Sequence, residues 1–277
     1  MTMNDLNGFD DFSIRPVESL DDVLACDDAK AAALGVLRHR NKPPKMFLAG
    51  PPGSGKSTII NEICRYSACE QPTGDRACHR CQGCLEFQEW GVHRTTGIFA
   101  EDTKRRRPFN YLPLNCRNFT RAQIHEEIEV LRHRDHSLRV IHLEEAGSLS
   151  RDKCDESLTD LMDDPHFSTC KWFATAVEDT NLDEQFRRRW NVKVTTTRPP
   201  DDILAERLAT LCVQERIEVD NAETLLLLVE RSWGVLGLAG AMLPMAKIRE
   251  PHRLTRDMVL RYPFPAEDPW KKTFFKR

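Results

Sequence analysis

Short apolar runs alternate with amphipathic segments along the chain as far as Thr195. The runs are bounded by polar or glycine-rich segments, which is typical of strands buried on both faces of a parallel sheet. They are Met46–Ala49, Tyr111–Leu114, Leu138–Leu143, Lys171–Ala176 and Val192–Thr195. A helical pattern over Ala29–Leu37 precedes the first run, and others lie between runs, over Ser57–Tyr66 and Arg121–Arg132. Strands that alternate with helices predict an α/β fold with a parallel sheet covered on both faces.

The pattern changes after Arg198-Pro199-Pro200. Three further helical segments follow, with no strand-like run among them: Asp201–Glu215, Ala222–Arg231 and Leu236–Lys247. We therefore predict a flexible N-terminus (1–14), a sheet domain (15–197), a small all-α second domain called the lid (198–261) and a C-terminal tail (262–277). The tail, rich in proline and aromatic residues, either docks on a partner or folds back on the lid.

Composition adds few constraints. The 277-residue chain has a net charge of −3, so a nucleic-acid surface has to be a local patch. It has no apolar stretch of about 18 residues, which argues against a transmembrane helix. The first residues are acidic and do not resemble a signal peptide. We expect a cytoplasmic protein, in which clustered cysteines are metal ligands rather than disulfides.

A glycine-rich loop joins the first apolar run to the helix after it. Its residues match the G-x-x-x-x-G-K-[ST] pattern that binds nucleotide phosphates: Gly50, Pro51, Pro52, Gly53, Ser54, Gly55, Lys56, Ser57 and then Thr58. In this pattern, backbone N–H groups surround the phosphates, the lysine reaches the β/γ oxygens and the serine hydroxyl ligates Mg²⁺. The alternative is a chance glycine-rich turn. A strand before the loop and a helix after it favour the phosphate loop.

An acid pair, Glu144-Glu145, follows the apolar run that ends at Leu143. In a nucleotide-binding sheet, Glu144 lies near Mg²⁺ and Glu145 orients the attacking water. The alternative is a surface acid pair after a core strand. Since ligands of parallel sheets bind at the carboxyl ends of the strands, we expect the pair and the loop at the same edge.

Four cysteines follow the loop helix with the spacing of a structural zinc site: Cys69, Cys78, Cys81 and Cys84. Cys64 and His79 are reserve ligands, and the alternative is a set of free or disulfide-bonded thiols. Four protein ligands leave no open position for water, so neither interpretation gives the cluster a catalytic role.

Two basic runs are candidate contact sites. Lys104–Arg107 is a solvated loop or a DNA contact. Arg187-Arg188-Arg189 follows a strand near the edge of the sheet domain, where an arginine can reach the nucleotide of a neighbouring subunit.

These residues resemble the AAA+ ATPases, and within them the bacterial DNA polymerase III clamp-loader subunits of the gamma/tau and delta-prime type. The cysteine spacing just after the loop helix is similar to the zinc module of that family, here residues 64–90. Asn115–Asn118 resembles a turn after one of their strands, and Arg198–Leu208 resembles the start of their lid. The resemblance extends from about Arg15 to Arg261.

The resemblance implies ATP, Mg²⁺ and Zn²⁺ as cofactors, assembly into homo- or hetero-oligomers through the AAA+ domains, and DNA or a DNA-bound protein as partner. It places Arg15 near the adenine, Thr175 as a polar sensor after a central strand, and Arg188 as the arginine that acts on the neighbouring subunit's nucleotide. The implied role is clamp-loader-like ATPase activity in DNA replication or in mobile-element DNA processing.

Three departures from the family pattern qualify this role. Glu144 stands where aspartate is usual, Gly237 stands where the lid has a phosphate-contacting arginine, and the sequence after the lid is too short for a collar domain. We therefore expect weak or partner-stimulated hydrolysis. Two alternatives remain open: a transposition-regulator or helicase-loader ATPase that oligomerises on DNA, and a non-hydrolysing adaptor that binds ATP.

Overall fold

The structure, a computed structural model, describes residues 20, 23–24, 27–39, 44–74, 76–86, 111–129, 140–177, 181–248 and 252–266. It divides into two compact units. The sheet unit comprises Val17–Gly50 and Gly55–Thr196, and the lid unit comprises Pro51–Ser54 together with the chain from Thr197 onward. No helix among the described residues is long and apolar enough to cross a membrane.

All five predicted strands form one parallel sheet. They are β1 (Met46–Ala49), β2 (Tyr111–Asn115), β3 (Val140–Glu144), β4 (Lys171–Ala176) and β5 (Val192–Thr195). Their order across the sheet is β2-β3-β4-β1-β5. The predicted parallel α/β sheet is therefore confirmed, and β4 lies between the strand that leads into the glycine-rich loop and the strand that ends in the acid pair.

The helices of the sheet unit cover both faces of the sheet. They are α1 (Asp27–Arg38), α2 (Lys56–Ala68), α3 (Arg121–Glu129), α4 (Cys154–Asp163) and α5 (Glu184–Arg188), with 3-10 turns at Ala146–Asp152 and Pro165–Phe167. Successive strand residues point to opposite faces. Met46, Leu48 and Phe173 pack with α1 and α2, whereas Phe47 and Trp172 belong to the core on the other face.

The lid unit needs one correction to the sequence prediction. It contains α6 (Asp201–Gln214), α7 (Ala222–Arg231), α8 (Leu236–Gly240), α9 (Leu243–Ile248) and α10 (Arg256–Arg261). It also contains a short parallel pair, β6 (Glu218–Val219) and β7 (Arg253–Leu254), so the prediction of an all-α lid was wrong. Two-residue strands are too short to show a period of two, which is why the pattern did not reveal them.

The described part of the tail packs on the lid unit. The Trp233 indole N–H donates to the Pro265 carbonyl oxygen at 3.0 Å. The Tyr262 hydroxyl donates to the Ala241 carbonyl oxygen at 3.5 Å. These contacts favour the fold-back alternative for 262–266, while the remainder of the tail and the N-terminal 1–14 lie outside the described residues.

Candidate nucleotide-binding site and cysteine cluster

The glycine-rich loop begins where β1 meets the ends of its two neighbouring strands. The Gly50 amide donates to the Ala176 carbonyl at 3.1 Å, and the Thr196 amide donates to the Ala49 carbonyl at 2.7 Å. A Cβ on Gly50 would lie 2.2 Å from Thr196 Oγ1, and the Gly50 φ of 145° is one that side chains rarely adopt. Glycine is therefore required at the first position of the loop.

The loop then turns directly into α2. Gly55 has a φ of 83° and precedes Lys56, the first residue of the helix. Ser57 and Thr58 follow in the first turn, with Ser57 exposed. The first N–H groups of a helix have no partner within the helix, and together with the helix dipole they favour an anion. In the lid unit, Ser54 is buried and its hydroxyl donates to the Pro51 carbonyl at 2.8 Å.

The Lys56 side chain is held beside the loop. Its ammonium donates to the Gly50 carbonyl oxygen at 2.7 Å. Burial lowers the pKa of Lys56 to about 8, because removal from water disfavours the charged form. A phosphate close to this ammonium would favour the charged form again.

The acid pair lies at the carboxyl edge of the sheet, as predicted, and Thr175 is the penultimate residue of β4 rather than a residue after the strand. Asn115 pairs with Glu144 across β2 and β3, and Ala174, the residue before Thr175, pairs with Leu143 across β3 and β4. Glu144 and Thr175 are both buried, with exposed fractions of 7% and 4%. Glu145 is exposed and has a φ of 52°, the left-handed region that residues other than glycine seldom adopt.

Two neighbours of the acid pair were not predicted. The Arg117 guanidinium lies 3.7 Å from the Glu145 carboxylate. His142, fully buried in β3, has Nδ1 at 3.5 Å from the Glu144 carboxylate and Nε2 at 3.5 Å from the Thr175 hydroxyl. The sequence feature that could have indicated His142 is its position as a titratable residue inside an otherwise apolar run.

The three consecutive arginines have different environments. Arg189 forms an ion pair with Asp163 at 2.6 Å, and Arg187 is partly buried. Arg188 is exposed at the end of α5, where it pairs with Glu184 one turn earlier. Of the three, Arg188 is thus the most accessible to a neighbouring molecule. Arg15 and Lys104–Arg107, also singled out from the sequence, lie outside the described residues.

The four predicted cysteine ligands come together in one cluster. The sulfurs of Cys69, Cys78, Cys81 and Cys84 all lie within 4.8 Å of one another. A tetrahedral Zn²⁺ with bonds of about 2.3 Å has sulfurs roughly 3.8 Å apart, so the donor set and its dimensions fit that ion with a small contraction. Backbone N–H groups also point at the sulfurs, as from Cys78 to Cys69 at 3.2 Å and from Cys81 to Cys78 at 3.3 Å.

These N–H groups create different environments for the thiols. Hydrogen bonding, first from the Arg80 amide, lowers the pKa of Cys78 to about 6. Burial, followed by its hydrogen bonds to other thiols of the cluster, raises the pKa of Cys84. A bound divalent cation would favour the thiolate of all four, since thiolates are the metal-binding form.

The cluster is packed directly on the loop helix. A Cβ on Gly83 would lie 2.2 Å from the Ala68 carbonyl oxygen, so the chain after Cys81 touches the end of α2. Arg65 of α2 lies 3.1 Å from His79 Nδ1 and 3.1 Å from the Glu62 carboxylate. His79 is thus engaged with Arg65, although it was a reserve metal ligand in the sequence prediction.

Comparison with known proteins identifies the fold. No protein-family model matches the chain, and no curated protein matches it in sequence. The Thermotoga maritima RuvB Holliday junction branch migration motor superposes with a TM-score of 0.60, at 14% identity over 89% of this chain and 71% of that one. Two RuvB variants give TM-scores of 0.60 and 0.59, at 15% and 14% identity. The chain has the AAA+ fold. At these identities the similarity concerns the AAA+ fold alone.

Proposed function

We propose that this protein is an AAA+ ATPase, related to clamp-loader subunits, that binds Mg-ATP at subunit interfaces and acts on DNA or a DNA-bound partner. The observation that carries the proposal is the phosphate loop between β1 and α2, with Lys56 at the start of the helix and Thr175 and Glu144 at the ends of nearby strands. The likeness of the fold to RuvB, a branch migration motor for Holliday junctions, supports a DNA substrate. The DNA process is replication or the movement of a mobile element.

Each candidate residue has a role in this proposal. The loop amides and Lys56 bind the phosphates, and Ser57 and Glu144 hold Mg²⁺, which when bound neutralises charge on the phosphates. Glu145 accepts a proton from the attacking water, and Thr175 orients the reacting groups. Attack on the γ-phosphorus breaks its bond to the β–γ bridging oxygen and yields ADP and phosphate. Arg188, exposed on α5, acts on the nucleotide of a neighbouring subunit, and Arg15 contacts the adenine.

The four cysteines bind one structural Zn²⁺ in this proposal. The carrying observation is the compact set of four sulfurs with backbone N–H groups directed at them. The cluster contacts the end of α2, so the ion stabilises the helix that begins at the phosphate loop. We propose no catalytic role for it.

The test is ATP binding and self-association of the purified chain. We expect the wild type to bind ATP with Mg²⁺ and to assemble, and Lys56→Ala to lose both. Lys193→Ala, an exposed lysine on β5, is the matched control and should bind as the wild type does. Unchanged ATP affinity in Lys56→Ala would contradict the proposal.

Two measurements separate this function from its alternatives. Electron microscopy with ATP and duplex DNA distinguishes a closed ring from a filament, and a filament favours a transposition-regulator or helicase-loader ATPase. The substitutions at Glu144 and Gly237 favour a non-hydrolysing adaptor as the second candidate. Magnesium-dependent phosphate release, measured with and without DNA, would exclude the adaptor.

A further inference from the structure

A polar side chain lies inside the apolar face of the sheet that packs on α2. His142 is 0% exposed and shares this face with Met46, Leu48 and Phe173, all buried. A buried imidazole costs free energy unless its nitrogens are hydrogen-bonded. Its partners therefore reveal why the strand tolerates a histidine.

His142 contacts polar groups on three strands. Its Nδ1 lies 2.8 Å from the Tyr111 hydroxyl on β2 and 3.5 Å from the Glu144 carboxylate on its own strand. Its Nε2 lies 3.5 Å from the Thr175 hydroxyl on β4. The Tyr111 hydroxyl is in turn 3.4 Å from Asn61 Oδ1 on α2. The chain of contacts thus joins the acid strand, the sensor strand and the loop helix.

The edge of the imidazole that carries Nδ1 faces two polar groups. The Tyr111 oxygen is the nearer, at 2.8 Å, and the Glu144 carboxylate lies at 3.5 Å, which is a close approach rather than a short hydrogen bond. The ring therefore lies between the Glu144 carboxylate on one side and the Thr175 hydroxyl on the other.

We propose that His142 is a positioning residue that fixes the Glu144 carboxylate and the Thr175 hydroxyl for Mg-ATP; the inference rests on the proposed function. Glutamate has one more rotatable bond than aspartate, and holding it in a single orientation costs conformational entropy. The imidazole, whose Nδ1 lies 3.5 Å from the Glu144 carboxylate, offsets that cost by restricting the longer side chain. His142 thereby allows glutamate to act at a position where the shorter aspartate needs no such restraint.

The test compares substitutions at His142 by the Mg²⁺ concentration that gives half-maximal ATP binding, by phosphate release and by thermal unfolding. His142→Leu keeps a side chain of similar volume and removes both ring nitrogens. Because the polar edge that faces the Glu144 carboxylate is lost, we expect its Mg²⁺ requirement to rise about tenfold. The kcat should fall by a similar factor while the KM for ATP stays within about threefold.

Recovery of Mg²⁺ affinity in further variants distinguishes a positioning role of His142 from a purely structural one. Glu144→Asp in the His142→Leu background should recover most of the lost Mg²⁺ affinity, because aspartate does not need the restraint. His142→Asn can place an amide N–H at the Nδ1 position and should stay close to wild type. His142→Gln reaches the Nε2 position instead and should behave as His142→Leu does, which keeps the test valid if the leucine variant does not fold. Tyr111→Phe is the control, because it disrupts the same network but leaves the contact with Glu144.

Wild-type Mg²⁺ dependence in His142→Leu would overturn the inference. So would equal losses in the asparagine and glutamine variants, or no rescue by Glu144→Asp, since either result indicates a structural role alone. Because the Mg²⁺ titration reads binding, it works even if hydrolysis is absent. A wild type that does not bind Mg-ATP would overturn the proposed function, and this inference with it. Normal binding with an unaltered His142→Leu variant would overturn this inference alone.

Discussion

The Arg117 guanidinium lies 3.7 Å from the Glu145 carboxylate, and the two side chains are 64% and 52% exposed. The Arg117 guanidinium therefore places a positive charge next to Glu145, the proposed base, while the ion pair contributes little to stability. We expect Arg117→Ala to raise basal phosphate release by up to about fivefold, which corresponds to the 1 kcal/mol limit of an exposed ion pair. The thermal midpoint should not change. Arg121→Ala, also exposed, is the control, and lower turnover in Arg117→Ala would contradict the prediction.

The lowered pKa of Lys56 predicts proton uptake on nucleotide binding. Because its pKa is about 8 before binding and phosphate favours the charged form, about half a proton should be taken up at pH 8. ATP affinity should fall as the pH rises through 8. Calorimetry in two buffers with different ionisation enthalpies measures the uptake. Equal heats in the two buffers at pH 8 would refute the prediction. The Lys56→Met variant, which lacks the titrating ammonium, gives the background heat in each buffer.

The same lowered pKa, which weakens ATP binding as the pH rises, makes the nucleotide-free protein more stable as the pH rises. Between about pH 8 and the usual lysine value of 10.5, the folded state holds fewer protons at Lys56 than the unfolded chain. The contribution of Lys56 to the free energy of unfolding therefore increases with pH across this window. Urea unfolding of the wild type and Lys56→Met at pH 7.5 and pH 10 isolates that contribution.

The cysteine cluster predicts one bound metal ion per chain. Cys84→Ser should lower the metal content, measured by elemental analysis, and the thermal midpoint as well, because metal binding contributes to folding. Removal of metal by a chelator should have the same effect on the wild type. Cys212→Ala, a buried cysteine of the lid unit, should retain the metal. Full metal content in Cys84→Ser would argue against the site.

The buried pair of Glu62 and Arg65 predicts a large loss of stability on removal of one charge. Both residues are less than a tenth exposed, and their charged groups are 3.1 Å apart. Glu62→Gln should reduce the free energy of unfolding by about 3 kcal/mol, because the buried guanidinium loses an opposite charge. Glu126→Gln on the exposed side of α3 should change it by less than about 0.5 kcal/mol. Denaturant unfolding of both variants checks this, and equal effects would contradict it.

Replacement of Gly237 by arginine is expected to increase ATP hydrolysis. A Cβ at this position meets no atom within 4 Å, and arginine favours helix more than glycine by up to about 1 kcal/mol, so α8 should tolerate Gly237→Arg. Under the proposed relation to clamp-loader subunits, whose lid carries an arginine at this position, the new arginine should raise phosphate release. Gly237→Leu is the control for helix propensity. Equal turnover in both variants would show that charge at this position does not matter.

The sheet could be predicted from the sequence, because buried parallel strands are short apolar runs. Met46–Ala49 and Lys171–Ala176 have the predicted bounds. The site at its edge could be predicted in part, since the loop and the cysteines have fixed spacings. The contact of Arg117 with Glu145 and the role of His142 depend on which strands are neighbours, and no local pattern contains that information. Helix α5 was also missed, although Asp183 caps it by accepting from the Gln185 and Phe186 amides.

The strand order also determines when this protein can complete its fold during synthesis. Met46 of β1 pairs with Phe173 and Val192, which leave the ribosome more than a hundred residues later. At roughly 5–20 residues per second, β1 waits on the order of ten seconds for either neighbour. During this time the apolar side chains of β1 have no neighbouring strand, so the edge of the sheet that carries the phosphate loop is completed only after β4 or β5 has been synthesised.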